Sequence, residues 1–174
     1  MPAATVAEFI AYAKANPGKI NYGSAGQGTP QNIAAELFKM MTGVSLIHVP
    51  YRGGSLAIND LVSGHLQVVF APVSEAIQQI KAGKLRALAV TTAKRLDVFP
   101  DVPAVGDFVP GYEASGFGGI GVPRNTPTEI VDKLNKEINA GLADAKVKER
   151  IVELGGTNWR CTWVMSMSCC VLAK

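Results

Sequence analysis

The sequence has no long apolar run, few cysteines and histidines, and no concentration of charge of one sign. None of its apolar stretches approaches the ~20 residues that cross a bilayer, and its first residues lack the basic and apolar regions of a signal peptide. The 17 Lys and Arg residues are scattered among 14 Asp and Glu, so a net charge of +3 gives no basic stripe. We therefore expect no nucleic-acid partner, and the sequence taken as it stands predicts a cytoplasmic chain.

Cysteine is confined to the end of the chain, at Cys161, Cys169 and Cys170. An odd, clustered number with no histidine nearby predicts neither a disulfide framework nor a zinc site. The two histidines, His48 and His65, also lack metal-ligand spacing, and we expect structural roles for both. The sequence thus predicts no metal and no cofactor. Both tryptophans, Trp159 and Trp163, share the cysteine-containing stretch, and this break in composition indicates a tail foreign to the fold.

The first half of the chain alternates short apolar runs with segments of helical spacing. Thr5 begins a capping box, and Thr29 followed by Pro30 is a typical start of a second helix, which Gly43 ends. Further helices are predicted over 55–63 and 74–82. The strands are predicted over 20–23, 46–49, 66–70 and 85–91. Strands that alternate with helices indicate an α/β layer structure around a mostly parallel sheet.

From residue 94 to 125 the chain is rich in proline and glycine, which is typical of a segment crossing between domains. A capping box over 126–129 then predicts a helix whose apolar residues recur every fourth position, at Ile130, Leu134, Ile138 and Leu142. Asp144 is expected to cap a last helix that ends near Gly155. These two helices need a sheet to cover their apolar faces, and the sequence does not obviously supply one.

Residues 22–30, YGSAGQGTP, join the first predicted strand to the second helix. This stretch contains Gly23, Gly26 and Gly28. Glycine allows positive φ angles and lets the backbone approach a ligand closely. Ser24 and Thr29 add hydroxyl groups, and the helix N-terminus adds free N–H groups, so this loop has the chemistry to hold an anion. A purely structural alternative, a tight turn followed by a helix cap, remains open.

Three known glycine motifs do not fit this loop. A P-loop needs a lysine before its Ser or Thr, and no lysine lies between Gly23 and Ile33. Gln31 stands where the dinucleotide fingerprint has its third glycine, and Tyr22 stands where a nucleophile elbow has a glycine. Nucleotide hydrolysis, dinucleotide binding and this kind of hydrolase are therefore disfavoured.

The loops after the second and third predicted strands fall at equivalent positions in the sheet. Their polar residues that can reach the same cleft are Tyr51, Arg52, Ser55 and Ser74. Arg52 can pair with a carboxylate, although a solvated surface arginine is an open alternative. We expect solvated or capping roles for the acidic residues Glu36, Asp60 and Glu75. No nucleophile, base and orienting partner come together in the sequence, so we predict that the protein is not an enzyme.

Several motifs resemble, in order, those of the tripartite tricarboxylate transporter substrate-binding proteins, also called Bug receptors. They are KINYGSAGQGT, AAELFKMMTG, HVPYRGG, DLVSGHLQVVFAPV, IKAGKLRALAVTTAKR, FPDVPAV and GIGVPRNTPTEIVDKLNKEI. The similarity runs from about Thr5 to Gly156. It implies a periplasmic-binding-protein-like α/β fold (type II, Venus flytrap) that captures a small carboxylate between two domains for a membrane permease.

The resemblance also implies the domain organisation. Residues 2–107 would form the second, ligand-binding domain, a three-layer α/β/α structure, and 108–156 would form the crossing segment and the C-terminal helices of an incomplete first domain. Residues 157–174 would be an atypical tail. Family members are periplasmic. We expect this chain, with half of the ligand clamp missing, to bind carboxylates weakly or not at all, and to self-associate through the exposed domain-one helices.

Carried over by position, the resemblance implies that a group of backbone and hydroxyl donors holds the ligand carboxylate: Ser24, Ala25, Gly26, Gly28 and Thr29. Tyr51, with Ala71 and Pro72, would form neighbouring walls of the cleft. The sequence departs from the family at Gln67, where an aspartate is usual, and it lacks the histidine that the family often has near Asn32. Two alternatives stay open, namely an enzyme or regulatory domain for a phosphorylated metabolite and a non-functional gene remnant.

Overall fold

A computed structural model describes residues 1–118, 120–157 and 165–173. The helices α1 to α6 are Val6–Ala15, Pro30–Thr42, Gly54–Ser63, Val73–Lys81, Thr128–Ala143 and Ala145–Glu153. The strands β1 to β7 are Asn21–Ser24, Ile47–Pro50, Val68–Pro72, Arg86–Val90, Ser115–Gly118, Gly156–Thr157 and Met165–Ala173. A short 3₁₀ helix covers Val105–Asp107. Among the residues described, no helix is both long and apolar enough to cross a membrane.

The central sheet has the strand order β2-β1-β3-β7-β4. β1 pairs in parallel with β2 and with β3. β7 lies between β3 and β4 and is antiparallel to both. β3 and β4 therefore run in the same direction without pairing to each other, so the four strands of the first part of the chain share one orientation. Their carboxyl ends meet at one edge of the sheet.

The two faces of the sheet carry separate apolar cores, which makes the three-layer arrangement that the sequence predicts. One core contains Phe9 of α1 and Phe38 of α2 together with Val68 and Phe70 of β3. The other contains residues of α3 and α4 together with the alternate β3 positions, Val69 and Ala71. Successive strand residues point to opposite faces, so β3 is covered on both sides by helices.

Local signals in the sequence place most helix ends correctly. Thr5, Thr29 and Asp144 each accept a hydrogen bond from a backbone N–H of the first helical turn, as N-cap residues do. Gly43 and Gly64 end α2 and α3 in the left-handed conformation.

The capping box predicted over 126–129 is wrong. The Thr126 hydroxyl donates to the Pro123 carbonyl at 2.8 Å, and α5 begins two residues later with Pro127 as its N-cap. All four predicted strands also begin one or two residues too early. The residues concerned are core residues that precede the hydrogen-bonded ladder, with exposures of 1%, 5%, 3% and 5% for Ile20, Leu46, Leu66 and Leu85.

The prediction that the tail is foreign to the fold is wrong for residues 165–173, whose backbone forms β7. The first half of β7 pairs with β5 and β6, and the second half pairs with β3 and β4. A strand pairs with whichever free backbone edge lies beside it, and composition does not report this. Cys161 and both tryptophans, Trp159 and Trp163, lie outside the described residues. The division into domains at residue 107 stays a prediction.

No residue of α5 or α6 is classed as buried. Their exposed large apolar residues are Ile130, Leu134, Val147 and Val152. This agrees with the expectation, drawn from the sequence, that these helices lack a covering sheet. Whether they associate with another copy stays a prediction.

We predict that ending the chain after Thr157, which removes β7, abolishes cooperative unfolding. The facing edges of β3 and β4 would lose their partner strand, and unpaired buried backbone groups are costly. Thermal unfolding followed by circular dichroism measures the effect, and removal of Lys174 alone serves as the control. An unchanged, cooperative transition in the shorter chain would show that β7 is dispensable.

Candidate ligand-binding site

The candidate site lies where β1, β2 and β3 end, at the carboxyl edge of the sheet. β1 and β2 lead through short loops into the N-termini of α2 and α3, whereas β3 runs directly into α4. We call residues 24–29 the glycine loop. The Tyr51 N–H donates to the Ser24 carbonyl at 2.9 Å, so the loop after β2 is tied directly to the glycine loop. Ligands of open α/β sheets bind at such an edge.

Two glycines of the glycine loop have backbone conformations that favour glycine. Gly26 has φ 130° and Gly28 has φ 76°. Gly23 differs from what the sequence suggests, because it is a strand residue without positive φ. A Cβ at Gly23 would overlap the Leu66 side chain, so glycine is needed there for packing between β1 and its neighbours.

The two hydroxyls that the sequence assigns to ligand binding hold the loop itself in this structure. Ser24 Oγ and Thr29 Oγ1 donate to the Gly26 carbonyl at 3.0 and 2.7 Å. Thr29 also accepts from the Asn32 N–H as the N-cap of α2. Direct donation from either hydroxyl to a ligand therefore stays a prediction, and what the geometry gives them is a role in shaping the loop.

The backbone N–H groups of the glycine loop also donate hydrogen bonds to side chains of the protein. Gly26 N donates to Ser24 Oγ at 3.1 Å, and Gly28 N donates to Asn32 Oδ1 at 3.0 Å. Ala25 N donates to Gln31 Oε1. Gln31 and Asn32 are 3% and 7% exposed, so two buried amides of the first turn of α2 clamp the loop. No such role was predicted for either residue, although adjacent amides directly after a Thr-Pro helix start are a visible signal in the sequence.

Beneath the loop, polar side chains of β1, β2 and α2 form a connected network. His48 Nε2 lies 2.7 Å from Ser24 Oγ, and its ring stacks on Tyr22 with ring centroids 4.7 Å apart. The Tyr22 hydroxyl donates to Glu36 and accepts from Asn32 Nδ2 at 2.8 Å. Lys39 pairs with Glu36 at 2.8 Å. The Asn32 amide thus belongs both to the loop clamp and to this network.

The network shifts the pKa values of its members. Burial, then the Glu36 carboxylate, raises the pKa of Tyr22 far above its usual value. Burial would raise the pKa of Glu36, but the hydrogen bonds from Lys39 and Tyr22 outweigh it and the pKa is lowered. Burial lowers the pKa of His48. At neutral pH the network therefore holds a neutral tyrosine, a carboxylate and a neutral histidine.

The Ser24–His48 contact joins a hydroxyl to an imidazole, a pairing that the sequence analysis did not foresee. Ser24 is 0% exposed, and its hydroxyl is bonded to the Gly26 carbonyl. Such a hydroxyl is closed to a substrate, so this geometry supports the structural role predicted for His48 rather than nucleophilic catalysis. No group of three or more potential metal ligands occurs in the part of the chain that the structure describes.

The ends of β2 and β3 contribute side chains and helix N-termini to the candidate site. The Tyr51 hydroxyl donates to Asp60 Oδ2 at 2.6 Å, and burial with this carboxylate raises the pKa of Tyr51 to about 12. Ala71 is 0% exposed and packs in the core, whereas its neighbour Pro72 is the N-cap of α4. Neither Gly53, the N-cap of α3, nor Pro72 makes a side-chain cap hydrogen bond. Two uncapped helix N-termini therefore lie beside the glycine loop, and they favour an anion.

Glu75, in the first turn of α4, connects this helix with the glycine loop and with the start of α3. Gln31 Nε2 donates to Glu75 Oε2 at 3.0 Å while the same amide clamps the glycine loop. A Cβ on Gly54 would collide with this carboxylate, so a glycine at the start of α3 gives it room. Burial raises the pKa of Glu75, and the bond from Gln31 opposes the shift. Glu75 was predicted to be a solvated or capping charge, and its contacts with Gln31 and Gly54 were not predicted.

Comparison with known proteins identifies the family to which this chain is related. Residues 1–162 match the family described as Tripartite tricarboxylate transporter family receptor. The chain belongs to this family. The resemblance drawn from the sequence motifs is thereby confirmed. The family match ends within the tail, before β7 begins.

Individual members of this receptor family cover most of the chain. The UPF0065 protein in the tcbD-tcbE intergenic region of a Pseudomonas species is 38% identical over 152 residues, which is 86% of this chain and 45% of the relative. The adipate complex of R. palustris Rpa4515 superposes with a TM-score of 0.86 at 36% identity, over 89% of this chain and 52% of that one.

Two further receptor structures are similar. The periplasmic binding protein BugD gives a TM-score of 0.80 at 34% identity, over 89% of this chain and 52% of that one. MatC (Rpa3494) from Rhodopseudomonas palustris with bound malate gives 0.82 at 27% identity, over 92% and 55%. These neighbours confirm the periplasmic-binding-protein-like α/β fold. The chain spans about half the length of the curated relative and of the solved structures that it matches.

We predict that Asn32→Ala lowers the free energy of unfolding by about 1–3 kcal/mol, the cost of leaving buried hydrogen-bonding groups without a partner. The substitution removes the acceptor of Gly28 N and the donor to Tyr22. Urea unfolding measures the change. Gln27→Ala is the control, since Gln27 is exposed in the same loop and its replacement should alter stability by about 0.5 kcal/mol or less. Equal effects of the two substitutions would contradict the clamp.

Proposed function

We propose that this chain is the carboxylate-binding part of a solute receptor that captures a small carboxylate and delivers it to a membrane permease. Membership of the tripartite tricarboxylate transporter receptor family supports the transport role. Structural neighbours hold adipate and malate, both carboxylates. A periplasmic site of action follows from the same kinship, since BugD is described as a periplasmic binding protein.

The observation that carries this proposal is the convergence of the glycine loop with two uncapped helix N-termini. The N–H groups of the first turns of α3 and α4 lack a side-chain cap, so they are the donors that an arriving carboxylate meets. The N–H groups of Ala25, Gly26 and Gly28 already have acceptors. A ligand oxygen that uses them must take the place of an acceptor on Ser24, Gln31 or Asn32.

The predicted site residues take different parts in this proposal. Gly26, Gly28 and Ala25 present backbone, Ser24 and Thr29 fix its conformation, and Tyr51 and Pro72 line the neighbouring loops. Ala71, a residue of β3, is buried in the core and does not reach the surface. The proposed partners are the ligand and the permease subunits, and neither a cofactor nor nucleic acid takes part. The exposed apolar residues of α5 and α6 support the prediction of self-association.

The proposal is tested by thermal unfolding with millimolar succinate, malate, adipate or citrate, and with phosphate esters. A ligand that binds the native state raises the midpoint. We expect a rise with one or more carboxylates and none with the esters. A rise with the esters alone, or with no ligand, would contradict the carboxylate receptor.

Gly28→Ala provides the sharper variant, with Gly18→Ala as its matched control. Gly28 has φ 76° and Gly18 has φ 68°, and at both an added Cβ meets no atom within 4 Å. The two substitutions therefore impose a similar backbone strain of about 1–2 kcal/mol. Only Gly28 lies in the glycine loop. We expect Gly28→Ala alone to abolish the carboxylate-induced shift, and an equal loss in both variants would contradict the assigned site.

A further inference from the structure

The Glu75 carboxylate is a negative charge within a site built for an anion. It lies against Gly54, the first residue of α3, which leaves room for it because glycine has no side chain. Gly53, the N-cap residue of α3, makes no side-chain cap hydrogen bond. Glu75 is also joined through Gln31 to the clamp of the glycine loop. A ligand carboxylate bound by these helix ends would therefore come close to Glu75.

No cationic side chain among the described residues pairs with this charge. None of the ion pairs found among the described residues involves Glu75. Its hydrogen-bond donor within the same residues is the uncharged amide of Gln31, which bonds to Oε2. The residue is only partly covered, and Oε1 has no donor among the hydrogen bonds of the described side chains. Glu75 can thus accept a further hydrogen bond from a molecule in the site.

The Glu75 carboxylate weakens the binding of some ligands and strengthens the binding of others. A second carboxylate placed beside Glu75 would meet like-charge repulsion. A hydroxyl or ammonium group in that place would donate a charge-assisted hydrogen bond, which is stronger than a bond between neutral groups. The same residue therefore favours one class of acids over another.

We propose that Glu75 is a specificity-determining residue, whose Oε1 accepts a hydrogen bond from a hydroxyl or ammonium group that the ligand carries beside its bound carboxylate. The inference rests on the proposed carboxylate-receptor function and deepens it. The receptor then prefers hydroxy- or amino-carboxylates to plain carboxylates of the same length. Malate and succinate, which differ by one hydroxyl, are matched probes of this preference.

The test measures dissociation constants of malate and succinate by NMR titration of the full chain. We expect about tenfold tighter binding of malate, the size of a charge-assisted hydrogen bond. Glu75→Gln, which keeps the shape and an acceptor for Gln31, should reduce the preference to about twofold by weakening malate and strengthening succinate. Glu137→Gln, which removes the same charge from exposed α5, should keep the full preference.

The outcomes separate the inference from the function on which it rests. Equal affinities of the wild-type chain for the two acids overturn the inference and leave the receptor function standing. A preference that Glu75→Gln retains also overturns it, because the discrimination then comes from elsewhere. Thermal unfolding of each variant shows that it is folded. If the wild-type chain binds neither acid nor any other carboxylate at millimolar concentration, the proposed function itself fails and the inference with it.

Discussion

The hydrogen bonds that Gln31 and Asn32 make to the glycine loop are the constraint on which the rest of the site depends. Both amides are buried, and between them they accept the N–H groups of Ala25 and Gly28. With the loop fixed in this way, Ser24 Oγ lies against His48 Nε2, and the Ser24 carbonyl accepts a hydrogen bond from the Tyr51 N–H. The same Gln31 amide then reaches Glu75 in α4, so the glycine loop, the loop after β2 and the start of α4 form one hydrogen-bonded unit.

The sheet beneath this unit depends on a strand from the end of the chain. β7 separates β3 from β4 and is the antiparallel member among strands that otherwise share a direction. Its position is central, whereas the glycine loop follows β1 on the far side of β3. The site thus stands on strands with parallel partners, and the closure of the sheet beyond β3 depends on residues that lie after the family match ends.

Local chemistry explains why much of the fold was predictable from the sequence. Thr29 with Pro30 marks the start of α2, Gly43 marks its end, and alternating strands and helices predict the layers. Successive motifs in order predicted the family. The strand-end positions predicted an anion site, and the residues assigned to it lie near the carboxyl edge of the sheet. Each of these signals lies within a few residues along the chain, so neither distant pairing nor side-chain packing was needed to interpret it.

What could not be predicted depends on contacts between distant residues. The link from Gln31 to Glu75 joins positions 44 residues apart, and His48 reaches Ser24 because β1 and β2 pair with Tyr22 opposite His48. Gly23 is required by the Leu66 side chain, which spacing alone does not reveal. β7 was missed for the same reason, since composition marks a segment as unusual but does not show which strand edge it will meet.

The most direct test of the account is to map carboxylate binding on the backbone amides by two-dimensional ¹H–¹⁵N NMR. The account predicts that added malate shifts the amide resonances of Ala25, Gly26, Gly28 and Gly54, and of the first turn of α4. It predicts no comparable shift along α5 or α6. Shifts confined to those two helices, or spread evenly over the surface, would contradict a ligand site at the carboxyl edge of the sheet.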